Sequence, residues 1–116
     1  MSLRVRDIMV SDVITIDEEA TVREAARLMS EKNVGSLIVL SKEGEPVGII
    51  TERDILVRVV AEGKNPDAVK VAWVMSKPIV KGRPDMTLEE AARFMTSKGV
   101  KKLPIFEGDK LVGIIT

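Results

Sequence analysis

The chain has 116 residues, enough for one ordinary domain or two very small ones. Hydrophobic residues make up 45% and charged ones 31%, which excludes a disordered chain and a membrane protein. Eighteen basic side chains offset eighteen acidic ones, so no net attraction to nucleic acid or to an anionic membrane is expected.

The absent residue types exclude more. There is no Cys, His or Tyr. Without thiol or imidazole there is no thiolate nucleophile, disulfide, imidazole base or usual zinc site, so no catalytic residue and no metal ligand is assigned. The opening residues, Met1 to Asp7, lack the apolar run of a signal peptide, and no stretch has the length of a membrane span. A cytoplasmic protein is expected.

Taken in order, the first element is a brief strand at Val13-Ile14-Thr15-Ile16. A helix follows, opened by a capping box of Thr21 and Glu24 and carrying Val22, Ala25, Ala26 and Met29 at helical spacing. Asn33 tolerates the left-handed turn that ends it. Two strands come next, Ser36 to Leu40 and Val47 to Ile50, joined by Lys42-Glu43-Gly44-Glu45. A helix from about Glu52 to Ala61 closes this run, and Glu62 to Asp67 reads as a connector.

The same order then begins again. A short strand is expected at Pro78-Ile79-Val80, and a helix opens at the box of Thr87 and Glu90 with Leu88, Ala91, Ala92 and Met95 on one side. Gly99 ends that helix, and strands Lys102 to Phe106 and Leu111 to Ile115 flank Glu107-Gly108-Asp109-Lys110. Laying Val5–Thr51 on Val71–Thr116 with a single gap makes roughly sixteen of about 46 pairs identical, where average composition gives on the order of three. The chain is a duplication. Residues 1–62 hold the first copy, 63–70 the linker and 71–116 the second copy, which stops at Thr116 where the first copy's closing helix begins. The expected fold class is α+β: two tandem β-α-β-β-α motifs packed face to face with pseudo-two-fold symmetry, the second lacking its final helix. One copy alone buries too little surface to be stable, and two can share a core.

The sharpest chemical feature is Gly48-Ile49-Ile50-Thr51-Glu52-Arg53-Asp54-Ile55, at a strand-to-helix junction. Thr51 and Asp54 have the spacing of a helix cap. The same geometry suits a ligand: helix-start N–H groups welcome phosphate, Thr51 adds a hydroxyl, Arg53 a charged fork, and Asp54 two acceptors for paired ribose hydroxyls. A residue can cap and bind. Lys101 and Lys102 read as adjacent lysines on a strand edge, pointing to opposite faces, and Arg83 as a surface cation. Trp73 reads most simply as a packing residue, with a contact between protomers as its minor alternative. The six methionines read as core or seam filling.

The V-x-x-x-M openings at Val5 and Val71, the two T-x-x-E-A-A-R helices and the G-I-I-T-x-x-D junction resemble a tandem pair of cystathionine-β-synthase-type (CBS) domains. The resemblance runs from Val5 to Thr116. It implies a non-catalytic regulatory module that binds an adenosine-containing ligand (AMP first, with ADP, ATP or S-adenosylmethionine as the others) in a cleft between the copies. By that resemblance Thr51 approaches phosphate or ribose, Asp54 holds the ribose hydroxyls, and Met75, Ile79, Val80, Val100 and Lys101 supply the base pocket. Exchanging the copies implies a second cleft of Val13, Ile14, Val34, Gly35 and Thr116, with Lys102 as its phosphate candidate. That cleft departs from the family pattern, since no Asp follows Thr116 at the third position. The resemblance also implies a homodimer serving a client protein. The alternative is a dimerisation scaffold that binds nothing small.

Overall fold

The computed structural model describes residues 3–116. They divide into two compact units: a central one, Ile14–Ile79, and a split one, residues 3–13 together with Val80–Thr116. The class is the expected α+β. Among the described residues no helix is long and apolar enough to cross a membrane.

The central unit holds β1 (Thr15–Asp17), α2 (Val22–Lys32), β2 (Ser36–Leu40), β3 (Pro46–Thr51), α3 (Glu52–Ile55) and α4 (Val71–Val74). The strand β1 runs parallel to β2, with Thr15 opposite Ile38, and β3 pairs antiparallel to β2, with Ser36 opposite Thr51. The first strand therefore starts later than Val13: Ile14 contributes only its carbonyl, which accepts the Ile38 N–H at 3.1 Å. Thr21 caps α2 by accepting the Glu24 N–H at 3.1 Å, and Asn33 ends it in the left-handed region at φ 54°. The apolar stripe is narrower than its spacing suggests, because Val22, Ala25 and Met29 are buried whereas Ala26 is exposed. These side chains pack on Leu37, Val39, Ile50, Val59, Val71, Val74 and Met75.

The helix expected over residues 52–61 changes character midway. It leaves α3 as a π-helical stretch, Leu56–Val60, marked by N–H donation from Ala61 to the Leu56 carbonyl at 2.8 Å and from Lys64 to that of Val59 at 2.9 Å. Val59 is fully buried by this turn, while Leu56, Val57 and Val60 remain exposed. The connector then folds back, with the Arg23 N–H donating to the Pro66 carbonyl and an ion pair between Arg23 and Asp67.

The split unit holds α1 (Val5–Ile8), α5 (Leu88–Lys98), β4 (Leu103–Glu107) and β5 (Lys110–Ile115). Its two strands are antiparallel, with Leu103 opposite Ile115. Val5, Met86, Ala91, Leu103, Ile105 and Ile115 form its core. The helix α5 carries a complete capping box: Thr87 Oγ1 accepts the Glu90 N–H at 3.1 Å, and Glu90 Oε1 accepts the Thr87 N–H at 2.9 Å. That N–H, then the Thr87 side chain, holds the Glu90 carboxyl below the usual carboxylate range, with Arg4 and Arg83 adding smaller pulls. Ala92 is exposed, as its counterpart Ala26 is.

Two sequence expectations give way here. No strand forms at Pro78–Val80; Pro78 has no N–H to give a ladder, and the chain joins the sheet only at Gly82, which bonds Pro104 and Phe106. Lys101 and Lys102 do not lie on a strand, because β4 begins at Leu103.

Each V-x-x-x-M opening packs on the strands of the other copy. Val10 bridges Ile114 in the split unit, and Ser76 bridges Ile49 in the central one. The glycines beneath are required by this approach. A Cβ on Gly48 would lie 2.8 Å from both Met75 Sδ and the Ser76 carbonyl, and one on Gly113 would lie 2.6 Å from Met9 Sδ. Three methionines, Met29, Met75 and Met86, are buried, and Met9 and Met95 pack at the edge of a core. Met1 lies outside the described residues.

Candidate functional site

The junction of β3 and α3 is where the central unit concentrates its polar chemistry. A strand that ends at Thr51 leaves the next N–H groups without intrahelical acceptors, and a short polar side chain at each end of the first turn supplies them. Thr51 Oγ1 accepts the Asp54 N–H at 3.1 Å, and Asp54 Oδ2 accepts the Thr51 N–H at 2.9 Å. The capping role is therefore real at this position.

Asp54 does more than cap. It is a buried charged residue, 7% exposed. A buried carboxylate needs partners, and outside the cap it has one hydrogen-bond donor and one nearby cation. Ser76 Oγ donates to Oδ1 at 3.1 Å and lies 3.4 Å from Oδ2. Arg58, one helical turn on, places Nε 3.9 Å from Oδ1. The Arg58 guanidinium is itself fixed, donating to the carbonyls of Val74 at 3.1 Å and Met75 at 3.3 Å. Among the described residues no buried side-chain nitrogen or oxygen lacks a partner.

Beside this cluster lies an open groove of about 560 Å³ lined by Arg58, Ala72, Trp73, Met75, Ser76 and Lys77. Ser76 and Arg58 thus touch the carboxylate and also face the groove. Trp73 is 65% exposed, which corrects its reading as a packing residue; its ring carries the Lys70 ammonium 5.9 Å from the centroid.

The remaining site candidates are placed as follows. Arg53 is exposed, Met75 is buried in the central core, and Ile79 is half-buried at that unit's end. Val80, Val100 and Lys101 belong to the split unit, where Val100 is half-buried and Lys101 exposed. Of the second set, Ile14, Val34 and Gly35 belong to the central unit. The Gly35 carbonyl there accepts the Glu52 N–H at 3.0 Å. Val13, Lys102 and Thr116 belong to the split unit, with Thr116 exposed and Lys102 half-buried. Arg83 is on the surface, 3.4 Å from Asp85.

Sequence reasoning missed Ser76 and Arg58. Arg58 carried a readable signal, since it lies four residues after Asp54 on a helix, the spacing at which side chains meet. Ser76 carried none, because its partner is reached only through the exchanged opening.

This fold is that of an α+β repeat module, and known proteins give it a family. The CBS domain family matches residues 5–61 and again 69–116, and the chain belongs to that family as a tandem pair. An uncharacterised protein of Methanopyrus kandleri is 41% identical over 99% of this chain, which spans 59% of that relative. The hexameric CBS-CP12 protein of bloom-forming cyanobacteria is 38% identical with a TM-score of 0.93, covering 100% of this chain and 65% of its own. The CBS domain pair of protein MJ0100, solved in complex with 5′-methylthioadenosine and S-adenosyl-L-methionine, is 25% identical with a TM-score of 0.88, over 100% and 90% of the two chains. The chain thus spans less than two thirds of the first two of these relatives.

Proposed function

We propose that this CBS pair is a non-catalytic regulatory module that binds an adenosine-containing ligand at the start of α3. The observation that carries the reading is the buried Asp54 carboxylate at a helix start, one side chain away from an open groove. A carboxylate accepts both hydroxyls of a ribose. The adenosine ligands of the MJ0100 pair support the choice of ligand class. In this reading Thr51 and Arg53 serve the phosphate or ribose and Asp54 the sugar. Met75 and Ile79 line the base, and Val80, Val100 and Lys101 join them on the family resemblance alone. AMP is the first candidate, followed by ADP, ATP and S-adenosylmethionine. The weaker second set is Val13, Ile14, Val34, Gly35, Lys102 and Thr116. The module is proposed to work as a cytoplasmic homodimer on a client protein, without nucleic acid or membrane.

Isothermal titration with the four ligands tests this directly. Heat and a thermal shift with at least one are expected; silence with all four at millimolar concentration rejects the reading.

A second reading has its own observation. Asp54 already has partners within its unit, and Leu56, Val57, Val60 and Trp73 expose large apolar surface. These features favour a scaffold that pairs with protein and binds nothing small. Mass spectrometry of the denatured purified protein separates the two, since a nucleotide carried through purification belongs only to the first.

A further inference from the structure

Resting on the adenosine reading above, we infer that Ser76 sets the affinity of the Asp54 site: its hydroxyl occupies the carboxylate as an internal stand-in for a ribose hydroxyl. Three groups cover Asp54, and they differ in how readily they can leave. The Thr51 N–H, 2.9 Å from Oδ2, is part of the helix cap and cannot move without unwinding α3. The Arg58 guanidinium is tied to two backbone carbonyls. The Ser76 hydroxyl is held to Asp54 at 3.1 Å and depends only on its χ1 angle.

The Ser76 backbone does not hinder that rotation. Its N–H donates to the Ile49 carbonyl at 2.8 Å and its carbonyl accepts the Ile49 N–H at 3.1 Å, whichever way the side chain points. A turn of χ1 to another staggered well therefore uncovers Oδ1 and leaves the bridge intact. Ser76 also lines the groove, so the position it vacates opens toward the space a ligand enters. A sugar hydroxyl arriving there makes the bond that Ser76 gives up. The exchange is one hydroxyl for another on the same carboxylate, and the ligand must win it in order to bind.

Removing the competitor strengthens binding. Isothermal titration of the full chain with AMP and with S-adenosylmethionine is expected to show Ser76→Ala binding about tenfold more tightly than wild type, or ~1.4 kcal/mol, the scale of one hydrogen bond to a charged group. Ser76→Cys keeps the volume but donates weakly, so it moves the same way and covers the case in which alanine unsettles the fold. Ser76→Thr keeps the hydroxyl and stays near wild type. If wild type binds and neither Ser76→Ala nor Ser76→Cys binds more tightly, Ser76 is not a competitor and the inference is overturned. If neither wild type nor variant binds either ligand, the adenosine reading itself fails, and this one with it.

Discussion

The central and split units each carry a complete capping box, and the two boxes have different surroundings. In the central unit the box of Thr51 and Asp54 is roofed by Ser76 and flanked by Arg58, so its carboxylate is buried. In the split unit the box of Thr87 and Glu90 makes the same pair of local bonds on an exposed surface. The position that matches Ser76 in the other opening is Val10, which bridges Ile114 and brings no hydroxyl, while the box of Thr87 is bridged by Arg4. A local motif fixes where a helix starts. What passes over that start decides whether its carboxylate is a cap alone or also a candidate ligand acceptor.

The largest expected effects come from the exchanged openings. Val5 belongs to the first copy in sequence yet is fully buried in the split unit, and Val71 of the second copy is fully buried in the central one. A charge at either site costs about 4 kcal/mol or more, since nothing there can pair with it. Hydrogen exchange should show Val5→Asp stripping protection first from Leu103–Ile115, and Val71→Asp first from Ser36–Thr51. The opposite assignment would mean that each opening serves its own copy.

The two boxes give the next contrast. Asp54→Ala leaves the Thr51 N–H and the Ser76 hydroxyl without their acceptor and should cost about 3 kcal/mol in urea unfolding. Glu90→Ala, at an exposed site, should cost clearly less. Equal losses would show that the roof over Asp54 adds nothing to the cap.

Most of the elements were legible because their signals are local. Threonines at capping spacing, Asn33 and Gly99 at helix ends, and apolar runs between glycine-containing loops depend only on neighbours in sequence. The duplication was legible for the same reason. The strand expected at Pro78–Val80 and the packed Trp73 misled, because each depends on where the opening of the second copy goes. Ser76 was invisible on the same ground: a serine after a methionine has no meaning until β3 is known to lie beside it. Asp54 was found by its motif, although its burial and its contact with Ser76 were not.

The smallest effect is a pH dependence in the exposed box. Glu90 has a folded pKa below its unfolded one, so its contribution is complete above the ordinary carboxylate value, about 4.3, and is lost as pH falls through the depressed folded value. The stability difference between wild type and Glu90→Gln in urea should therefore be constant near neutrality and shrink only in that acid window. A difference that grew on acidification would reverse the sign of the Thr87 contact.

Everything proposed for ligand binding depends on the carboxylate under Ser76. Its most direct test is the ratio of calorimetric affinities for AMP and for S-adenosylmethionine between wild type and Asp54→Asn, which keeps an oxygen for the Thr51 N–H but loses the charge. A fall of about tenfold or more for whichever ligand binds wild type, with the ligand-free melting curve little changed, is the predicted result. An affinity that Asp54→Asn leaves intact would contradict the account.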